Sequence, residues 1–181
     1  MEYRKEIILK NGAACCLRNG TEADAEAVYE NFRATHAETD YLLTYPDEIK
    51  FTLQQEGQYL KEKTEKENEI EIIALVDGVV AGTAGIDAIG SNYKTKHRAE
   101  FGISVLKEYW ELGIGRALTE ACIECARKAG YAQLELTVVA ENSRAIELYK
   151  KLGFTEYGRN PNGFRSRLSG YQELVCMRHE L

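Results

Sequence analysis

Residues 103–129 limit the choice of fold more than any other stretch of the chain. A β-type run ends near Leu106, and a turn that contains Gly113 and Gly115 leads into a helix. The small and apolar residues of that helix recur at i, i+3 and i+4, at Ile114, Ala117, Leu118, Ala121, Cys122, Cys125, Ala126 and Ala129. This pattern predicts a helix that packs on a sheet directly after one of its strands.

The segments on either side of this unit predict a mixed sheet. Period-2 patterns and turn residues, including the hairpin signal Asp77-Gly78, predict strands at 14–18, 70–76, 79–86, 97–106, 132–139, 153–159 and 171–178. A helix at 143–152 follows the strand at 132–139. Because a strand–helix–strand order requires a crossover, two central strands are expected to be parallel. The sequence therefore predicts an α/β domain with one mixed sheet and helices on both faces.

Two helices are predicted before the sheet's central strands. Thr21 begins the first, with Asp24 three residues on as an acidic variant of the capping box. A strongly charged helix is expected from Asp47 to about Asn68, after an aromatic connection at 36–46.

Composition indicates one globular domain over residues 1–181. The net charge is −6, and 44% of the residues are hydrophobic. No run of eighteen apolar residues exists, and Ile7–Leu9 is too short for the core of a signal peptide. An acidic chain also argues against a nucleic-acid partner. We therefore expect a cytoplasmic protein with no membrane segment.

The five cysteines do not form a disulfide framework, because their number is odd and Cys15 and Cys16 are adjacent. Cys122 and Cys125 have the spacing of a redox pair or of half a zinc site. Both, however, fall on the apolar stripe of the helix, and no second Cys-x-x-Cys exists. We expect core residues and no metal.

The glycine turn at Gly113 and Gly115 has two interpretations. Small residues at a helix entrance leave N–H groups exposed and make an anion site. The P-loop signature is absent, and Leu118 occupies the third glycine position of the dinucleotide fingerprint. A tight turn that packs the helix on its strand explains the glycines equally well.

The segment from Asn142 to Phe154 is a second candidate site. Asn142 can cap a helix, and Tyr149, seven residues later, lies on the same face two turns on. Taken alone, Asn142 as an N-cap and Tyr149 as a core residue are sufficient explanations.

Taken together, the two segments resemble the GNAT superfamily of N-acetyltransferases. The resemblance rests on Trp110-Glu-Leu-Gly113-Ile-Gly115-Arg-Ala and on Asn142-x-x-Ala145-Ile-x-Leu-Tyr149-x-Lys151-Leu-Gly153-Phe154. It extends roughly from Arg18 to Met177, and Trp110 departs from the Gln or Arg that is common in the family. It implies a mostly antiparallel sheet of seven strands, a splayed central parallel pair and about four helices.

The resemblance also implies acetyl-CoA as the donor, without a metal. Its pyrophosphate would bind the N–H groups of the turn formed by Leu112, Gly113, Ile114, Gly115, Arg116 and Ala117. Its pantetheine would pair with the strand of Ile103 and Val105, and the Val105 N–H would polarise the thioester carbonyl. Asn142 matches the position that binds the pantetheine arm. Arg116 and Arg144 could add positive charge, although both could equally be surface residues.

Tyr149 matches the family's general acid, which protonates the leaving thiolate. The base is less defined, because Thr137 stands where some relatives carry a glutamate. Glu100 is the remaining candidate. A water chain, or an exposed Glu100 that pairs with Arg98 or Lys96, is an alternative.

The acceptor is expected to be the primary amine of a small molecule. Carboxylates and tyrosines at 38–45 and 91–93, among them Tyr41 and Tyr45, suit a cationic group. Alternatively, Tyr41 and Tyr45 serve only to hold the first two helices together. Acetylation of a protein N-terminus or of aminoacyl-tRNA, and a CoA sensor without turnover, are the other functions considered. Dimers are common in the family, so a homodimer is compatible with the resemblance.

Overall fold

Eight strands form one sheet in the order β1-β2-β3-β4-β5-β6-β8-β7. The structure, a computed structural model, describes residues 1–181. The strands are β1 (Arg4–Ile8), β2 (Ala14–Asn19), β3 (Ile70–Val76), β4 (Val79–Ala88), β5 (Arg98–Val105), β6 (Gln133–Val139), β7 (Thr155–Ser166) and β8 (Gly170–Glu180). All neighbours are antiparallel except β5 and β6.

Four α-helices cover the two faces of this sheet. They are α1 (Ala25–Glu38), α2 (Leu53–Glu65), α3 (Ile114–Lys128) and α4 (Ser143–Lys151). On one face, α1 and α2 bury a small cluster formed by Val28, Leu60, Ile73 and Val80. On the other face, apolar residues of α3 and α4 join the main core with alternate residues of the strands. The sheet thus separates two layers of helices, and its two sides are the α1–α2 face and the α3–α4 face.

The central parallel pair is short. β5 and β6 pair only between Arg98–Glu100 and Gln133–Glu135. Beyond these residues β6 continues beside β8 while β5 continues beside β4. The expected splayed pair is therefore confirmed, and it leaves a cleft between β5 and β6 toward their carboxyl ends.

The prediction of seven strands was one too few. The missing strand, β1, is an edge strand that pairs only with β2, and three of its five residues are charged (Arg4, Lys5 and Glu6). Edge strands tolerate charge because one side of the backbone faces solvent, so their sequence carries little apolar alternation. The mixed α/β architecture itself is confirmed.

The helix boundaries near residues 36–53 also differ from the prediction. Helix α1 continues to Glu38, so His36 is helical rather than part of a loop. Helix α2 begins only at Leu53, because Thr52 caps it: the Thr52 hydroxyl accepts from the Gln55 N–H at 3.3 Å, and the Gln55 side chain accepts from the Thr52 N–H at 2.8 Å. Residues 39–52 therefore form a long connection between the first two helices.

The cysteines lie where the helical pattern placed them. Cys122 and Cys125 are buried in the core as free thiols, and burial raises the pKa of both. The core interpretation of the Cys-x-x-Cys spacing is thus confirmed. None of the helices has both the length and the apolar character needed to cross a bilayer.

Candidate active site

The cleft between β5 and β6 exposes the backbone of β5. The Leu106 N–H donates to Ala81 at 2.9 Å, and the Arg98 carbonyl accepts from Ile89 at 3.2 Å, so the even-numbered residues of β5 bond to β4. Because antiparallel bonding alternates, the N–H and C=O groups of Ile103 and Val105 turn the other way, toward β6. No β6 residue pairs with them. The cleft therefore offers an edge to which an extended, amide-containing ligand can bond.

Trp110 closes part of this edge. Its indole N–H donates to the Val105 carbonyl at 2.7 Å, and the Arg144 guanidinium lies 4.0 Å from the ring centroid. The indole thus fixes the peptide at the mouth of the cleft and connects it to α4. Sequence analysis had treated Trp110 only as a departure from the family motif. Its aromatic character beside a splayed strand was the only signal of this role.

The two arginines near the turn are already partly neutralised. Arg116 pairs with Glu120 at 2.9 Å, and Arg144 lies 3.7 Å from Glu111 in addition to its contact with the indole. Both guanidinium groups remain on the surface, as the alternative interpretation expected.

Gly113 is the N-cap of helix α3, and its φ of +104° is a conformation that suits glycine. The first helical bond runs from the Ala117 N–H to the Gly113 carbonyl at 3.0 Å, so the N–H groups of residues 114–116 have no helical acceptor. A Cβ atom on Gly115 would meet only Leu148, at an ordinary 3.7 Å. Backbone conformation therefore requires glycine at 113, whereas packing does not require it at 115. The result at the helix entrance is a row of free donors with no side chain over Gly115.

Tyr149 has a buried ring and an unpaired hydroxyl. The side chain is 7% exposed, and its ring lies 6.1 Å from Phe101 and 5.7 Å from Phe154, on the α3–α4 face of the sheet. The hydroxyl has no hydrogen-bond partner in the chain, yet it is not sealed in the core, since the one enclosed side-chain polar atom without a partner is the Asn31 Oδ1. Burial raises the pKa of Tyr149, so the phenol is protonated at neutral pH.

Asn142 caps helix α4. Its Oδ1 accepts from the Ala145 N–H at 3.3 Å, which confirms the structural alternative for this residue. The amide NH₂ group has no partner within the chain and stays free to donate to a ligand.

Glu100 stands on the opposite face, at the last paired row of β5 and β6. It is exposed and forms no ion pair, because Arg98 binds Glu135 on β6 through two nitrogens, one of them 2.7 Å from Oε2. Lys96 lies over the Tyr93 ring instead, so Glu100 is exposed as the alternative interpretation expected but pairs with neither Arg98 nor Lys96. Five residues at about 3.3 Å each separate Glu100 from Val105, which is about 16 Å along the strand.

Tyr45 belongs to a wall between the 39–52 connection and the β7–β8 turn. Its hydroxyl donates to Asp40 at 2.8 Å and accepts from the Arg167 N–H at 2.8 Å, and the Arg167 guanidinium lies 4.3 Å from its ring centroid. Asp40 also accepts from Ser166 at 2.6 Å and from Gln172 at 3.1 Å. The polar atoms of Tyr45 and Asp40 are thus used within the protein.

Tyr41 differs from Tyr45. Its side chain is half-buried, and its hydroxyl has no partner in the chain; only its N–H is bonded, to the Thr39 hydroxyl at 3.3 Å. Of the two tyrosines proposed from the sequence, Tyr41 is the one with a free polar group.

Helix α1 forms a second wall, which sequence analysis missed. The helix crosses the ends of β4 and β5, because Asn31 donates to the Val80 carbonyl at 2.7 Å and Glu38 accepts from the Lys107 N–H at 2.7 Å. Between them, His36 stacks on Phe32, and its Nδ1–H donates to the Phe32 carbonyl at 2.7 Å. Burial lowers the pKa of His36, which leaves a neutral ring with a bare Nε2.

A sequence model of the Acetyltransferase (GNAT) family matches residues 26–154. The chain belongs to this family and is an N-acetyltransferase by class.

Two curated relatives from Escherichia coli (strain K12) show the range of named functions. The chain is 29% identical over 127 residues to L-amino acid N-acetyltransferase AaaT, covering 70% of this chain and 76% of that protein. It is 48% identical over 56 residues to [Ribosomal protein bS18]-alanine N-acetyltransferase, covering 31% and 38%.

Solved structures share the fold over most of the chain. An acetyltransferase of the GNAT family from Streptococcus pneumoniae superposes with a TM-score of 0.88 at 27% identity, covering 92% of this chain and 99% of that one. The structure of yncA from Salmonella typhimurium with its cofactor acetyl-CoA has a TM-score of 0.79 at 20% identity, covering 91% and 92%.

Proposed function

We propose that the protein transfers the acetyl group of acetyl-CoA to a primary amine of a small molecule, by direct attack while both substrates are bound. The observation that carries this proposal is the open edge of β5 beside the free N–H groups of α3. Acetyl-CoA carries a pyrophosphate, which the free N–H groups can bind, and an amide-rich arm, which can pair with the open strand edge.

The donor-binding residues follow from this arrangement. The turn from Leu112 to Ala117 would hold the pyrophosphate, because its free N–H groups sit at the positive end of the helix dipole. Ile103 and Val105 would bond to the pantetheine amides along the cleft. The free NH₂ group of Asn142 would donate to the same arm. The residues present fit this ligand.

Two groups of the chain then act on the reacting atoms. When bound, acetyl-CoA supplies an acetyl group activated as a thioester. An N–H of β5, at Val105 by the family resemblance, would donate to the carbonyl oxygen as negative charge develops on it. Tyr149 would give its proton to the sulfur as the C–S bond breaks, since its hydroxyl is protonated and has no other partner.

The ammonium group of the acceptor must lose a proton before attack. Glu100 is the base proposed from the sequence, and its exposed, unpaired carboxylate can accept one. The strand distance of about 16 Å to Val105 means that Glu100 could act only through a chain of water molecules, so Glu100 is the candidate base from the sequence and not a residue on which this proposal depends.

A small acceptor is favoured by the wall around the other side of the cleft. Asp40 and Tyr45 bind the β7–β8 turn, and Arg167 pairs with Asp47 at 2.7 Å and with Glu48 at 3.1 Å, so the 39–52 connection is joined to the turn at several points. The named activity of AaaT on L-amino acids agrees with an acceptor of this size. Tyr41, with its free hydroxyl, is the proposed contact from this wall.

The test combines binding and turnover. Calorimetry with acetyl-CoA should show a single site, and thiol release should appear with some members of a panel of L-amino acids, polyamines, aminoglycosides and a peptide with an N-terminal alanine. Binding without thiol release from any amine would indicate a sensor. Turnover with the peptide alone would replace the small acceptor by a protein N-terminus.

A further inference from the structure

Glu71 is a carboxylate that no part of the proposed donor site uses. It lies on β3, and its register partner is Gly85 on β4, which in turn pairs with Gly102 on β5. The side chain folds across β4: a Cβ atom on Gly85 would overlap the Glu71 Oε2 and lie 3.2 Å from its Cδ. The carboxylate therefore occupies the α1–α2 face, one strand away from β5 and level with Gly102.

The space next to this carboxylate is open. A Cβ atom on Gly102 would meet no heavy atom within 4 Å, and the backbone there is not left-handed. Gly102 directly precedes Ile103, whose backbone faces the cleft. The two glycines thus form a side-chain-free strip from Glu71 to the edge along which the thioester would lie.

Glu71 also has no cationic partner. The nearest lysine, Lys63, binds Asp87 and Glu69, the latter at 3.3 Å, and donates to the Ile86 carbonyl at 3.1 Å. The Tyr59 hydroxyl, a neutral group, donates to Glu71 at 3.2 Å. The Glu71 carboxylate thus forms no ion pair and lies beside the open strip, where a cationic group of a ligand would compensate its charge.

We propose that Glu71 attracts the ammonium group of the acceptor along this strip and takes its proton before attack. Because Glu71 is level with Gly102, three residues or about 10 Å along β5 from Val105, the proton passes from the nitrogen through bridging water to a carboxylate oxygen of Glu71. The freed electron pair then forms the N–C bond to the acetyl carbon, the C–S bond breaks, and the thiolate receives the Tyr149 proton. The nitrogen loses its second proton as it becomes an amide, and that proton restores the Tyr149 hydroxyl. This assignment rests on the proposed acetyl transfer and deepens it, because it defines the acceptor as a cationic amine and replaces Glu100 as the base.

The electrostatic surroundings agree with such a role. Burial raises the pKa of Glu71 to about 7, against the opposing effects of hydrogen bonding and of the Lys63 charge. A base with this pKa is half-ionised near neutral pH. The other titratable groups that act on it are Tyr59 and Lys63 of α2 and Asp87 of β4. Glu56 acts on the neighbouring Tyr59, and Glu71 itself raises the pKa of Cys122 across the sheet.

The first test compares Glu71→Gln and Glu100→Gln across pH. Since the base must be ionised, kcat/KM for the amine should rise with pH through a midpoint near 7 in the wild type. Glu71→Gln should lower kcat/KM by about a hundredfold or more and abolish this rise, without changing the Kd for acetyl-CoA. Glu100→Gln should keep the rise. Loss of the rise in Glu100→Gln alone, or a Glu71→Gln profile that keeps its shape, overturns the assignment.

The second test uses Gly102→Val, which places a side chain in open space. The variant should fold, bind acetyl-CoA with unchanged Kd, and raise KM for the amine by about tenfold or more. An unchanged amine KM would show that the acceptor does not cross the strip.

Carbon-13 NMR of the carboxyl groups needs no turnover and should find Glu71 titrating near pH 7; a titration in the ordinary range near 4 rejects the proposal. Failure of the wild type to bind acetyl-CoA rejects the proposed function and this assignment together, whereas retained binding with an unaltered profile rejects Glu71 alone.

Discussion

At the scale of single residues, Tyr149 combines two roles that can be separated. Its ring packs against Phe101 and Phe154 and contributes to the core, while its hydroxyl contributes no bond within the protein. Removal of the oxygen alone should therefore leave the fold intact. Any effect of that change reports on the reaction.

Tyr149→Phe should lower kcat by about a hundredfold to ten-thousandfold and leave the Kd for acetyl-CoA nearly unchanged. The reason is that the proton of the hydroxyl is needed only as the thiolate leaves. Steady-state kinetics with the best amine of the panel, together with calorimetry, measures both quantities. A full kcat in this variant would reduce Tyr149 to a packing residue.

Single residues were also where the sequence was least informative. The pattern correctly predicted Asn142 as a helix cap and Tyr149 on that helix, but it gave no sign that the Tyr45 hydroxyl is bonded to Asp40 and to the Arg167 N–H. Those partners are five and 122 residues away in the chain, so no local pattern reports the longer contact. Glu71 escaped notice for the same reason, because its importance depends on two glycines of other strands.

At the scale of elements, the entrance of α3 is the feature on which donor binding depends. Gly113 sets the direction of the turn through its positive φ, and the free N–H groups follow it. Gly130, just beyond the other end of the same helix, also has a positive φ (+81°), and a Cβ atom there would meet no heavy atom within 4 Å. Both glycines thus have a positive φ that disfavours other residues, but only Gly113 lies at the proposed donor site.

Gly113→Val should abolish measurable CoA binding by calorimetry, because a branched side chain and a shifted backbone disturb the donors of the turn. The matched control Gly130→Val carries a similar strain, roughly 1–2 kcal/mol, but should bind CoA normally. Thermal unfolding of both variants verifies that their stabilities are comparable. Equal CoA affinity of Gly113→Val and the wild type would remove the turn from the binding site.

The ends of helices and strands were predicted well wherever the spacing of apolar residues agreed with the capping or turn residues. The strands β3 to β6 and the helices α3 and α4 lie within two residues of their predicted ends. Strand β7 runs seven residues beyond its predicted end at 159, to Ser166. The other exceptions are β1, a charged edge strand, and the start of α2, where a run of helix-compatible residues precedes the true cap at Thr52. In both cases tertiary pairing or a local cap decided the boundary rather than apolar spacing.

At the scale of the whole molecule, the sheet separates the two proposed substrates. The donor turn and Tyr149 belong to the α3–α4 face, whereas Glu71, α1 and the wall of Asp40 and Tyr45 border the α1–α2 face. The cleft between β5 and β6 is where the two faces communicate. A change confined to the wall should therefore affect the amine and leave acetyl-CoA binding unchanged.

The wall provides a matched pair of variants for this separation. Tyr45→Phe removes one hydroxyl that bonds both Asp40 and the Arg167 N–H, so the 39–52 connection should loosen from the β7–β8 turn. Tyr41→Ala removes a side chain whose hydroxyl has no partner, so the wall should stay in place. Both should raise KM for the amine by about threefold to tenfold at unchanged KM for acetyl-CoA, since loss of one hydrogen bond or contact is worth about 1 kcal/mol.

Hydrogen exchange distinguishes the two mechanisms. The amide of Arg167 donates to Tyr45, so it should exchange faster in Tyr45→Phe and at the wild-type rate in Tyr41→Ala. If Tyr41→Ala left the amine KM unchanged, the acceptor would not contact this wall. If either variant raised KM for acetyl-CoA as much as for the amine, the two faces would not act as separate entrances, and the division of substrates by the sheet would be wrong.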